Sequence, residues 1–327
     1  MTSFTWRDGD RLIRFGPGAV DEAVDLLGGP GYALLTTDRA VEMAPHIALA
    51  AARVHTVGYG LVEDVAGDLR EEVAGDRLVA LGGGRVVDVA KALAAAGRIR
   101  AMAIPTTLSG AEMTRGHRHA RGVDPATPRV RPSVVVNDPR LSASQPVDAL
   151  AASALNAFGH AAEALCEPHG NPVVGLVATE SARLIARAFP ARGEPARDPL
   201  ALGSLLGGYA LDAAALGLHH VLAQTLVREA GIGHGPANAV LLPHTLGALA
   251  WRLPERFEEL TVALGEDPAA VAGRICTLTG ATRLAELGVA ADALPRCADV
   301  AAARDELEHT PPRASRAEIL ALYEHAF

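Results

Sequence analysis

Hydrophobic and polar positions follow two regimes along the chain. Up to about residue 147, short apolar runs alternate with stretches whose apolar residues recur at helical spacing. YALLTTD (32–38), RVHTVGYG (53–60), RLVALGGG (77–84), AMAIPTT (101–107) and RPSVVVNDP (131–139) read as strands. Between them lie a helix from about 40 to 53, a helix in LVEDVAGDLREEVAG (61–75) and a helix in RVVDVAKALAAAG (85–97). Strand and helix in alternation predict an α/β domain with a parallel sheet covered on both faces. From 148 onward the β signals stop. Long Ala/Leu periods are broken by Gly and Pro at EPHGNP (167–172), AFPARGEPARDP (188–199), GIGHGPAN (231–238), LGEDPAA (264–270) and EHTPPRAS (308–315). Two domains are expected, 1–147 α/β and 148–327 all-helical, with a ligand cleft between them.

Composition narrows the function. A net charge of -8 argues against a nucleic-acid surface, and no basic run with interleaved aromatics opposes that. With 49% hydrophobic but only 4% aromatic residues, the core must be built from Ala, Leu and Val. Cys166, Cys276 and Cys297 form no CxxC pair and are expected as free thiols in a reducing compartment. The charged start MTSFTWRDGDRLIRFG lacks the apolar core of a signal peptide, and no apolar run is long enough to span a bilayer. A cytoplasmic protein with a small-molecule substrate is expected.

The glycines of LVALGGGRVVDVAKAL stand between a strand and a helix. Gly82, Gly83 and Gly84 either let a phosphate approach the free N–H groups of that helix or serve only a tight turn. Arg85 could add a charge-assisted contact. A second loop, IPTTLSGAEMT (104–114), brings Thr106, Thr107 and Ser109 to another strand end, a layout suited to a nucleotide lying across the sheet edge. Asp38, ending LLTTD, could accept ribose hydroxyls or cap a helix.

Further on, GLHHVLAQTLVREAGIGHGPANAVLLPH (217–244) holds His219, His220, Gln224, His234 and His244 in apolar surroundings. Burying so many polar groups without partners is costly, which favours a functional cluster around a glycine-rich bend over a set of core histidines. SALNAFGHAAEAL (153–165) adds Asn156 and His160, four residues apart on one helix face.

Taken together, these segments resemble the iron-containing (group III) alcohol dehydrogenase superfamily. FGPGA, ALGGGRVVDVAK, IPTTLSGAEMT, ALNAFGHAAEAL, the NP at 171–172, HGPANAVLLPH and the tail TPPRASRAEILALYEHAF run in the family's order across nearly the whole chain. The resemblance implies the dehydroquinate synthase-like fold, an α/β nucleotide-binding domain plus an all-α domain. It also implies NAD(H) or NADP(H), with Gly82, Gly83, Gly84 and Asp88 lining the diphosphate loop and Thr106, Thr107 and Ser109 nearby. Arg85 and Ala111 stand where the family usually has Ser. The family's metal, held by one Asp and three His, would fall on Asn156, His160, Gln224 and His234. Replacing the carboxylate and one imidazole by amides should remove most of the affinity for a divalent ion, so no tightly bound metal is expected. Within the family, SALNA with Asn, a Met in the second loop and GLHH look most like maleylacetate reductases, although Gln224 stands where that branch keeps His.

A metal-free reductase must stabilise the charge left by hydride delivery in some other way. Asn156 and Gln224 offer N–H donors, and His160, His220 and His234 are the candidate donors and proton carriers. The alternative is a repurposed relative catalysing a non-redox cyclisation, isomerisation or elimination. As relatives commonly are, the protein is expected to be a homo-oligomer, a dimer in the simplest case.

Overall fold

The structure, a computed structural model, describes residues 2–166 and 171–327. Most of the predicted break at EPHGNP therefore lies outside the described residues. The chain divides between Gln145 and Pro146 into two units, close to the boundary read from the hydrophobic pattern.

The first unit is built on seven strands: β1 Phe4–Asp8, β2 Arg11–Phe15, β3 Ala33–Thr36, β4 Arg53–Thr56, β5 Arg77–Gly82, β6 Arg100–Pro105 and β7 Val134–Asn137. Their order is β1-β2-β7-β6-β5-β3-β4. The sheet is not wholly parallel, as it was expected to be. β1 and β2 form an antiparallel hairpin turned at Gly9, and only from β2 onward does pairing become parallel. The hairpin alternates buried and exposed residues over strands too short and charged to stand out from a loop.

Both sheet faces are covered, and period-two alternation assigns them. Leu78 and Ala80 of β5, with Ala101 and Ala103 of β6, join the core under helices α4 (Val62–Leu69) and α5 (Gly84–Gly97). Val79, Leu81, Met102 and Ile104 point the other way, into a core with α1 (Ala23–Leu26), α2 (Asp38–Met43) and α3 (Pro45–Leu49). The single helix expected over 40–53 is broken in two because Pro45 opens a new helix and disfavours helical geometry at Ala44. The helix expected over 61–75 ends at Leu69. A short α6, Pro139–Ser142, ends the unit, capped by Asp138, which accepts from Arg140 N.

From β3 the chain moves outward to β4 and then returns to the other side of β3 for β5. The strand order therefore reverses between β3 and β5, the position at which open α/β sheets bind ligands beyond the carboxyl ends of their strands. Asp38 follows β3, the three glycines follow β5, and the Thr106–Ser109 loop follows β6.

Among its described residues the second unit is entirely helical: α7 Val147–Ala164, α8 Pro172–Ala188, α9 Leu200–Ala213, α10 Leu218–Glu229, α11 His234–Arg252, α12 Pro254–Leu264, α13 Pro268–Cys276, α14 Leu294–Ala302 and α15 Arg316–Ala326. α7 is the central helix, buried along most of its length and packed by α8, α9, α11 and α13. No single helix among the described residues is long and apolar enough to cross a membrane; α9 and α10 pass only as a pair bent by 100°. The three cysteines are buried free thiols.

One buried acid in the first unit makes a pH prediction possible. Burial pushes the Glu112 carboxyl up to about 7, against the opposing effects of Lys91 and Asn137. Its Oε1 accepts from Asn137 Nδ2 at 3.3 Å, while Oε2 has no hydrogen-bond partner among the described residues. Between its unfolded and folded values the native state holds the extra proton, so stability is lost as pH rises through that window. Glu112→Gln should therefore gain roughly 1–3 kcal/mol over the parent at about pH 8 and nothing at about pH 4, measured by urea denaturation.

Candidate functional site

Two groups of side chains were singled out by sequence, one in each unit. In the first, α5 opens at Gly83, whose side-chain-free N-cap leaves the first N–H groups of a 14-residue helix without a side-chain cap. The glycines are required by the neighbouring loop. A Cβ on Gly83 would lie 3.0 Å from Thr107, and one on Gly84 would lie 2.8 Å from Ser109. The two predicted loops thus meet.

Other predicted cofactor residues are placed differently. Thr106 is buried, and its backbone N–H is spent on Gly82 O. Asp88 lies 2.7 Å from the ammonium of fully buried Lys91, which also donates to the carbonyls of Ala111, Thr114 and Gly116. Asp88 and Lys91 therefore tie the second loop to α5, leaving Asp88 as counter-ion rather than free carboxylate. Arg85 stands over the ring of exposed Tyr59, 4.6 Å from its centroid, and its buried Nε has no partner among the described residues. Tyr59 carried no signal in the sequence, lying in a GYG loop with no periodicity. Asp38 is the exposed first residue of α2, and the N-cap position belongs to Thr37. What fits a dinucleotide here is an uncapped helix N-terminus, a cation beside it and backbone packed too closely for side chains.

In the second unit, Asn156, His160 and Glu163 occupy positions 156, 160 and 163 of α7, hence one face of that helix. Glu163, missed in the sequence, organises the group. Its carboxylate caps the start of α10: Oε2 accepts from Gly217 N at 3.1 Å, and Oε1 accepts from His219 N at 2.6 Å and His220 N at 3.3 Å. Thr310 Oγ1 takes the remaining first-turn donor, Leu218 N, at 3.2 Å. Burial pushes the Glu163 carboxyl upward, while the positive end of the helix and three N–H donors oppose that shift and favour the anion. Its last contact is His220 Nδ1 at 2.6 Å. Because Glu163 only accepts, His220 carries its proton on Nδ1 and keeps a lone pair at Nε2. That Nε2 is buried with no partner among the described residues. Burial pushes His220 down to about 3, so the ring is neutral.

The other imidazoles pack around this couple. His160 stacks on His220 with centroids 4.8 Å apart, and Asn156 Nδ2 lies 3.4 Å from His160 Nε2. His219, also pushed down to about 3 by burial, donates from Nδ1 to Thr245 Oγ1 at 2.9 Å. Gly159 makes the space for it, since a Cβ there would lie 2.9 Å from the His219 ring. His234 lowers both neighbours electrostatically, so it belongs to the same region, but it is exposed. The predicted bend at GIGHGPAN ends at Gly233, and His234 is already the first residue of α11. Pro236 falls within that helix's first turn, where a proline's missing N–H costs nothing. His244 sits inside α11, half-buried, where burial lowers its pKa. Gln224, one turn beyond His220 on α10, has its Oε1 held by Arg304 Nη1 at 3.0 Å.

These positions do not fit a metal ion well. Two are neutral amides, and the oxygen of Gln224 is already bound to a guanidinium. Among the described residues no three His, Cys, Asp or Glu side chains are grouped to hold one.

Residues 150–327 match the Fe-containing alcohol dehydrogenase family, C-terminal, and residues 35–144 match iron-containing alcohol dehydrogenase. The chain belongs to the iron-containing alcohol dehydrogenase family. Maleylacetate reductase 1 of Rhodococcus opacus is 36% identical over 229 residues, 65% of this chain and 62% of that protein. The matched stretch thus spans less than two thirds of that relative. The crystal structure of maleylacetate reductase from Agrobacterium tumefaciens, 31% identical, superposes with a TM-score of 0.83 over 100% of this chain and 99% of its own. That from Rhizobium sp., 30% identical, also gives 0.83, over 100% and 98%.

Acid should weaken this unit. His219 and His220 are neutral in the fold and protonate in the unfolded chain below their ordinary value of 6.5. The unfolded state then binds more protons, and stability falls as pH drops from there toward 3. Between pH 7 and about pH 5.5 the loss should reach about 2–3 kcal/mol, measured by urea denaturation at each pH. Glu163→Gln, which turns a donor toward donors, should cost about 2–4 kcal/mol at pH 7 in the same assay.

Proposed function

We propose that the protein is a reductase of the maleylacetate reductase type, drawing on NADH or NADPH and working without a metal ion. Its substrate in this reading is a small dicarboxylate carrying an enoate or keto group. The observation that carries the reading is the Glu163–His220 couple, an anchored imidazole stacked on His160, which in turn lies beside Asn156.

When bound, the nicotinamide supplies a hydride. The N–H groups at the start of α5 and Arg85 would hold the diphosphate, Thr107 and Ser109 would close the loop against it, and Asp38 would meet the ribose hydroxyls. Asn156 and Gln224 donate to the substrate oxygen on which negative charge collects, a task that falls to a cation in metal dehydrogenases. His160 lies against the amide of Asn156 and fixes its direction. His220 accepts at Nε2 a hydrogen bond from a water and so positions it, while Glu163 prevents the ring from turning; solvent-exposed His234 supplies the proton that completes the reduction and is reprotonated from solvent. Support for this arrangement comes from the relatives' names, the packed loops of the first unit and the donor-rich cluster of the second. The non-redox alternative has no observation in its favour.

Maleylacetate should be consumed with NADH or NADPH by protein dialysed against a strong chelator, followed by nicotinamide absorbance. His220→Ala should lower kcat by about 100-fold or more with a smaller change in KM. Failure of either nucleotide to bind, or full activity in His220→Ala, would refute the proposal.

A further inference from the structure

Arg304 precedes the helical turn Asp305–His309, and its side chain is 17% exposed. Its guanidinium pairs with Glu306, Nε to Oε2 at 3.2 Å and Nη2 to Oε1 at 2.5 Å, and turns Nη1 to Gln224 Oε1 at 3.0 Å. A guanidinium has donors only, and Glu306 holds this one in a fixed plane. The amide of Gln224 is therefore oriented from behind. Its oxygen faces Arg304, and what it has left to offer is N–H.

Gln224 follows His220 by one helical turn and shares its face of α10. It also stands where the family's metal would take an imidazole. An oxygen already shared with a cation has little to give a second one, and the arginine's charge repels any metal ion placed beside it.

We propose that Arg304 is a positioning residue for Gln224 and the charge that closes this position to metal ions. It makes Gln224 an obligate donor toward an oxygen-rich anion, a carboxylate or an enolate, and it disfavours a divalent cation there. The first half rests on the reductase reading, which places such an oxygen in front of Gln224. The second half stands on electrostatics alone. It follows that restoring the ligand types would not by itself restore a metal site.

Two sets of full-length variants test this, each first checked for native circular dichroism and melting. In the first, Co²⁺ is titrated into N156D/Q224H, N156D/Q224H/R304M and N156D/Q224H/R304K, and the visible bands of the bound ion are recorded. R304M should tighten Co²⁺ binding about tenfold or more over the double variant, whereas R304K, which keeps the charge, should not. Equal affinity in all three, or no cobalt bands in the R304M triple variant, would overturn the inference.

In the second set, R304M, Q224A and R304M/Q224A are compared in maleylacetate reduction. R304M should lower kcat about tenfold alone and add little in the Q224A background. A full and additive loss in that background would show that Arg304 does not act through Gln224. If the parent protein itself turns over no maleylacetate, the reductase reading has failed, and the cobalt titration still decides the role of the charge.

Discussion

The second unit depends on one carboxylate. Glu163 reaches from the last turn of the central helix to the N-terminus of α10, where it accepts three backbone N–H groups and the Nδ1 proton of His220. A buried carboxylate without partners would be strongly destabilising, and a helix start without a cap would leave donors unsatisfied. Each resolves the other's problem. Much of the site follows: the capped turn sets the direction of α10, His220 is locked as one tautomer, and His160, one turn before Glu163 on α7, is brought to stack on it. Gly217 permits the approach, because a Cβ there would lie 2.4 Å from Thr310.

The first unit solves a parallel problem with a lysine. Lys91 is fully buried and would be intolerable without partners, yet Asp88 and three carbonyls from the second loop surround it. The ammonium thereby fixes the loop that carries Thr107 and Ser109 against the glycines of α5. In both units a buried charge holds a loop or helix terminus in place. In each unit this structural ion chemistry is separate from the groups proposed to touch a ligand.

Much of this was legible in the sequence, and the rest was hidden for identifiable reasons. The strand positions from 32 to 137 and the all-helical second unit follow from the period of the apolar residues. The β1–β2 hairpin did not, because five-residue strands rich in charge have no clear period. Asn156, His160 and His220 stood out as polar residues in apolar helices. Glu163 belonged to the same pattern, but a glutamate three residues from a histidine also suits a solvated helix face, and only the fold shows the face to be buried. Asp88 was assigned to the diphosphate loop through the family resemblance, and its pairing with buried Lys91, three residues on, shows only in the fold. Arg304 is eighty residues from Gln224, and no local pattern could have joined them.

The central claim is that Glu163 holds His220 neutral, protonated on Nδ1, with a lone pair at Nε2. Imidazole nitrogen chemical shifts from ¹⁵N-histidine-labelled protein, assigned by comparison with His220→Gln, report that state directly. The account predicts at neutral pH a pyrrole-type Nδ1 and a pyridine-type Nε2 for His220, unchanged down to about pH 5. A pyrrole-type Nε2, or an imidazolium signal already present at neutral pH, would contradict it.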